Sequence, residues 1–205
     1  MRKLLFITCL MGMQIFAFSQ PQFGYASLNI LKDSVPKVYD RMIFGQFIEH
    51  FHRQIYGGIF EPGSKLSDEQ GFRMDVIEAL LELKVPVVRW PGGCFADDYN
   101  WREGVGPREE RPSRVNYLRG QVIENNHFGT HEFMDLCEQL GCEPYIGINL
   151  ATGTPREALD WIEYMTYNGP STLASLRKIN GREKPWKIKY VAVGNESWGC
   201  GGRMT

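Results

Sequence analysis

The sequence predicts an α/β fold, and within that class the first half of a (β/α)8 TIM barrel, truncated after its fourth strand. Three observations predict it. Short apolar runs and amphipathic stretches alternate along the chain, which implies parallel strands joined by right-handed helical crossovers. The four runs are apolar throughout, as in a sheet covered by helices. Each run closes on polar or glycine residues, namely Glu49-His50, Pro91-Gly92-Gly93-Cys94, Asn149 and Asn195-Glu196. Chemistry at the C-terminal end of every strand is the habit of the barrel, whereas a doubly wound sheet gathers it at one switch point.

The elements follow in order. Arg2 and Lys3 precede an apolar run, and Ala17-Phe18-Ser19 offers small residues to a peptidase. Residues 1–19 therefore read as a signal peptide. They imply an exported protein, periplasmic or extracellular, with no membrane association after cleavage. Residues 20–40 read as an N-terminal extension, in which 25–31 form a short strand of an accessory β layer. The partial barrel then occupies residues 41–205. Residues 42–48 are its first strand. Residues 67–84 read as a helix, capped by Ser67 and Asp68, with Phe72, Val76, Ile77, Leu80, Leu81 and Leu83 on one face.

Residues 85–90 form the second strand, its start set by Pro86. The Gly-, Pro-, Arg- and Glu-rich segment 91–128 is a long loop, and loops of that length in compact domains are usually functional. Residues 130–140 are a helix stopped by Gly141, and 144–150 the third strand. Thr154 caps a further helix with Pro155 in its first turn. Residues 188–193 are the fourth strand.

The composition narrows the function. The chain has 205 residues, 43% hydrophobic and 23% charged, enough for a packed core. Its formal net charge of -1 gives no electrostatic reason to expect nucleic acid or an anionic membrane as partner. Cys94, Cys137, Cys142 and Cys200 lie beyond the leader; their even number permits disulfides, and their spacing matches no zinc pattern. Cys137 and Cys142, at a helix end, read as small hydrophobes.

The sharpest chemical signal is Gly194-Asn195-Glu196 at the fourth strand's end. A carboxyl group buried there holds its proton near neutral pH, as a glycosidase acid must. Asn195 has the donors and acceptor to grip a hydroxyl. The competing reading is a helix N-terminus where Glu196 meets the dipole. On these three residues alone both readings stand.

Longer stretches break the tie. Residues 44–50 (Phe-Gly-Gln-Phe-Ile-Glu-His), 89–95 (Arg-Trp-Pro-Gly-Gly-Cys-Phe), Asn100-Trp101 with Gly104-Val105-Gly106-Pro107 and Glu110-Arg111-Pro112, Asn126-Xaa-Phe128-Gly129-Thr130, and Gly194-Asn195-Glu196 together resemble glycoside hydrolase family 51, the α-L-arabinofuranosidases. The resemblance runs from about Tyr39 to the end of the chain. It implies retaining hydrolysis of terminal α-L-arabinofuranosyl residues from arabinan- or arabinoxylan-type polysaccharides or oligosaccharides, without a cofactor or metal. It makes Glu196 the general acid/base and Glu49 a binder of arabinofuranose hydroxyls. Asn195 becomes the partner of the 2-hydroxyl, and Arg89 the holder of the nucleophilic carboxylate.

Cys94 stands where many members have Asn, which alters that sugar contact. Trp101 and Trp198 are candidate apolar walls. The nucleophile, a Glu closing a seventh strand in the family, matches no residue of this chain. Asp97, Asp98 and Glu103 read as solvated loop charges or sugar contacts. This chain alone is therefore expected to be inactive, a non-catalytic fragment or a sugar-binding half domain; a homo-oligomer of the full-length parent stays open. One further alternative is a metal-dependent barrel hydrolase using His50 and His52, which lie on one side of an extended segment.

Overall fold

The computed structural model describes residues 26–29 and 38–199. The chain divides into two compact units, Met1–Val38 and Tyr39–Thr205. Of the strand expected over 25–31, residues 26–29 are irregular and the rest lie outside the described residues, as does the whole of 1–19.

The second unit is built on a four-stranded parallel sheet in the order β1 (Gln46–Phe47), β2 (Val87–Trp90), β5 (Glu143–Ile148), β6 (Tyr190–Val193). Helix α1 (Met74–Leu83) connects the first pair, α2 (Thr130–Leu140) the second, and α3 (Pro155–Thr166) with α4 (Thr172–Ile179) the third. A two-stranded antiparallel hairpin, β3 (Arg114–Asn116) and β4 (Val122–Glu124), rises from the segment between β2 and α2. No helix among the described residues is long and apolar enough to cross a membrane.

Three expectations need correction. The first strand is only two residues long. Asp40 accepts a hydrogen bond from the Met42 amide and starts a 3-10 turn over Arg41–Phe44, which Gly45 ends. A side chain at Gly45 would fall 2.5 Å from Val87 Cγ1, so glycine is what lets β1 approach β2. Helix α1 starts seven residues later than expected. Asp68 spends its carboxylate on the amides of Gln70, Gly71 and Phe72, and Gly71 takes φ +105°, so the chain turns there instead of coiling. Phe72 leaves the helical stripe and packs edge-on to Phe60 in the core. The loop after β2 is ordered by its own short elements, three 3-10 turns and the hairpin.

The two sheet faces differ. Val88, Trp90 and Ile146 point into the core under the helices and are nearly sealed; the Trp90 ring stacks on Phe133 at 5.1 Å. Phe47, Arg89, Tyr145 and Tyr190 are paired in register across all four strands and form a row on the opposite face. Phe47 is 52% and Tyr190 38% exposed, so the described residues leave this face uncovered.

Candidate active site

The strand tips converge around Gly92 and Gly93. Glu49, two residues past β1, is buried. Its Oε1 accepts from the Phe95 amide at 3.1 Å and from Arg119 Nη2 at 2.7 Å. A methyl group on Gly92 (φ +140°) would fall 2.2 Å from Glu49 Cγ. A methyl on Gly93 would lie 3.3 Å from Glu49 Oε2 and 3.7 Å from Asn195 Oδ1. The carboxylate after β1 and the amide after β6 thus both border Gly93, where a side chain would crowd them. Arg119, on the hairpin's tip, is a residue that sequence reasoning missed; Asn-Tyr-Leu-Arg-Gly carries no motif that marks it.

Asp97 corrects another expectation. It is 3% exposed, so it is no solvated loop charge. Its 3-10 turn (Cys94–Asp97) carries it between the ends of β5 and β6. Burial raises its pKa above the ordinary carboxylate range, the amides of Leu150 and Asn195 pull it back, and the Glu196 charge raises it further. The interaction with Glu196 brings a second acidic group to the tip of β6. Asp98 is exposed, and Glu103 is engaged with Arg114.

Glu196 itself has φ +38°, a left-handed conformation rare for a residue with a Cβ and a signature of functional turns. The expectation that it is buried is not met; it is exposed, because β6 is an edge strand whose inner face the described residues leave open. Asn195 Nδ2 and Arg89 Nε are buried without a hydrogen-bond partner among the described residues. The Arg89 guanidinium lies over the Phe47 ring on the uncovered face. Cys94 is disulfide-bonded, so it has no thiol proton to donate to a sugar. Trp101 is 3% exposed, stacked parallel to Trp161, its indole N–H donated to the Glu157 carbonyl; its faces serve the core. Trp198 is 79% exposed.

His50 is not available to a metal. Its Nε2 accepts from the Trp90 indole at 3.1 Å, which leaves Nδ1 to donate to Glu124 Oε2 at 2.7 Å. Burial would raise the Glu124 pKa, but hydrogen bonds from His50, Tyr56 and the Asn126 amide outweigh it and hold the group below the usual range. Asn116 donates to the His50 carbonyl at 2.8 Å. The imidazole therefore ties the hairpin to β2, directly behind Glu49. The His52 side chain lies outside what the structure describes.

These features define an α/β protein whose carboxylate and amide side chains converge at the C-terminal tips of a parallel sheet. Residues 79–203 match the alpha-L-arabinofuranosidase 1 domain. The chain is 49% identical over 203 residues to an intracellular exo-alpha-L-arabinofuranosidase of Bacteroides ovatus, covering 98% of this chain and 39% of that protein. It is 54% identical over 157 residues to alpha-L-arabinofuranosidase C of Emericella nidulans, covering 77% of this chain and 31% of that one. The fold superposes with a TM-score of 0.78 on the α-L-arabinofuranosidase of Thermotoga maritima in its arabinose complex, at 49% identity over 80% of this chain and 34% of that structure. The GH51 arabinofuranosidase of Xanthomonas axonopodis pv. citri gives the same TM-score at 51% identity. The chain belongs to glycoside hydrolase family 51, the α-L-arabinofuranosidases, and spans about two fifths of the Bacteroides ovatus relative.

The expected export is overturned by the same comparison. The Bacteroides ovatus protein, which matches almost the whole of this chain, is named intracellular. A basic start and a short apolar run are compositional features, and composition alone does not commit a chain to translocation.

Proposed function

We propose that residues 41–205 form the first half of a (β/α)8 barrel. The protein that carries the whole barrel releases terminal α-L-arabinofuranosyl residues from arabinan- or arabinoxylan-type chains with retention of configuration. The half-exposed row Phe47, Arg89, Tyr145 and Tyr190 supports the barrel, since a closed sheet would bury it as an interior layer.

In this reading Glu196 protonates the leaving glycosidic oxygen while a second carboxylate attacks the anomeric carbon. Glu196, now ionised, then takes a proton from water as that water opens the sugar ester. Glu49, held by the Phe95 amide and Arg119, accepts hydrogen bonds from sugar hydroxyls. The buried Nδ2 of Asn195 donates to the 2-hydroxyl, and the buried Nε of Arg89 faces the second carboxylate. That carboxylate belongs to the part of the relatives' length that this chain does not span, so the 205 residues alone do not complete the reaction.

The observation that carries the reading is that Glu49 and Asn195 both border Gly93 at the strand tips, with Glu196 the next residue. The test is Glu196→Ala in the protein carrying the whole barrel. Arabinosides with poor leaving groups should lose about 10²–10⁴-fold in kcat, as expected for a missing general acid. Activated aryl arabinosides should lose far less in the glycosylation step. Unchanged turnover on both substrates would remove Glu196 from the mechanism.

A further inference from the structure

The C-terminal end of α2 carries two thiols that the proposed glycosidase chemistry does not use. The helix stops at Gly141, which takes φ 63°. The Cys142 amide donates to the Cys137 carbonyl at 3.1 Å, and the Gly141 amide to the Glu138 carbonyl at 3.2 Å. These are the paired reverse bonds of a Schellman cap. Such a cap folds the residue after the left-handed glycine back onto the residue five positions earlier, a contact ordinarily made by two apolar side chains. Here both positions are cysteine and both thiols are free. The two thiols lie close enough to shift each other's titration. The backbone has set two sulfurs side by side before any oxidation.

The two thiols are unequal. Cys137 is 2% exposed, whereas Cys142 is half-buried. Cys142 lines a surface hollow of about 400 Å³ that also takes in Lys184 and Lys187, both exposed cations. The acidic residues on the same rim, Glu138 and Glu143, are already paired with Arg182 and Lys189. Its interaction with Cys137 pulls the Cys142 thiol below its ordinary range. The same interaction, together with burial, pushes Cys137 up. The accessible sulfur is thus the one a reagent in solution meets first, and the buried one is placed to follow it.

We propose that Cys142 and Cys137 form a reversible dithiol modification site, in which Cys142 takes up an anionic small-molecule disulfide of the glutathione class and Cys137 resolves it to an intramolecular disulfide. The Cys142 thiolate attacks one sulfur of the reagent and expels the other half as a thiolate. Cys137 then loses its proton and attacks Cys142 Sγ, expelling the second thiolate. The protein gives up two hydrogens and the reagent is reduced to two thiols. The product straps the last turn of α2 to the residue that leads into β5. The inference is independent of the glycosidase reading.

The whole chain is treated with oxidised glutathione near neutral pH, quenched with acid, alkylated and digested with trypsin. Cys137 and Cys142 fall in one tryptic peptide, residues 120–156, that holds no other cysteine. The expected product is that peptide lighter by two hydrogens, free of glutathione and resistant to alkylation until reduced. In Cys137→Ser the peptide should instead retain one glutathione on Cys142. In Cys142→Ser, glutathione should reach Cys137 at least about tenfold more slowly, because the remaining thiol is buried. Repeating the wild-type reaction in guanidinium should lower the yield of disulfide about tenfold, because the cap that pairs the sulfurs is gone. A mixed disulfide that persists in the wild type, a peptide that stays alkylatable, or equal yields with and without denaturant would each overturn the proposal.

Discussion

Acid should destabilise the protein partly through one imidazole, and His131→Gln should remove that share. His131 is the second residue of α2, and its Nε2 lies 2.6 Å from Tyr164 Oη. Asn180 Nδ2 donates to the same oxygen at 3.0 Å, and with the imidazole neutral the Tyr164 hydroxyl can donate to Nε2. The ring also meets Trp186 edge-on at 5.0 Å. Burial pushes its pKa from 6.5 down to about 4; the Glu132 charge opposes this, and Arg111, Arg182 and Arg177 add to it. The folded value lies below the unfolded one, so the unfolded chain takes up the proton first as pH falls. The stability tied to a neutral His131 is complete above pH 6.5 and is lost progressively down to about pH 4. The gap between 6.5 and about 4 corresponds to about 3 kcal/mol. Asp135, one turn further on, works in the opposite sense. Burial, then Glu138 and Glu132, raise its pKa to about 6, so protonating it favours the fold. The wild-type slope alone is therefore ambiguous, and the comparison with the variant isolates His131. Urea midpoints followed by tryptophan fluorescence should place His131→Gln about 1 kcal/mol below wild type at pH 7, from the altered hydrogen bond and ring packing. Near pH 4.5 the order should invert, with the variant about 1 kcal/mol more stable. A difference that stays constant across that range would refute a buried neutral imidazole.

Two further substitutions probe the loop after β2. Arg111 is 9% exposed and donates to Glu132 at 3.0 and 3.1 Å and to the carbonyls of Gly106 and Asn126. Arg111→Ala should cost about 3 kcal/mol, since it strips a buried carboxylate of its main partner. The urea midpoint should fall with little change in slope, and a loss under about 0.5 kcal/mol would contradict the assignment. Gly92→Ala places a methyl 2.2 Å from Glu49 Cγ at a φ of +140°. It should destabilise the fold by about 2 kcal/mol in the same assay, and wild-type stability would show that the approach is looser than described.

Parts of this fold are written locally and parts are not. Helix α2 spans the expected residues, and α3 starts at Pro155 under a Thr154–Glu157 capping box, because caps and stops act within a few residues of the chain. The hairpin strands, three residues each, are too short to show a period, and α4 was missed although Ser171 caps it by hydrogen bond to Ala174. The site divides in the same way. Glu49, Asn195 and Glu196 stand at strand ends, where an apolar run stops on a polar side chain. The roles of Asp97, Arg119 and His50 depend on contacts made far along the chain, which neither spacing nor composition encodes. His50-Phe51-His52 resembled a metal pair because the indole and carboxylate that use up the first imidazole lie 40 and 74 residues away.

The grip on Glu49 has a consequence for how the protein matures. The amide that fixes its carboxylate comes from 46 residues downstream, and the guanidinium from 70. Neither can act until the second strand has docked and the hairpin has folded back over the tips. Such distant closures are slow compared with helix formation. During folding the sheet therefore acquires its shape before the Glu49 carboxylate acquires a direction, and the grip on that side chain arrives as a late event of assembly.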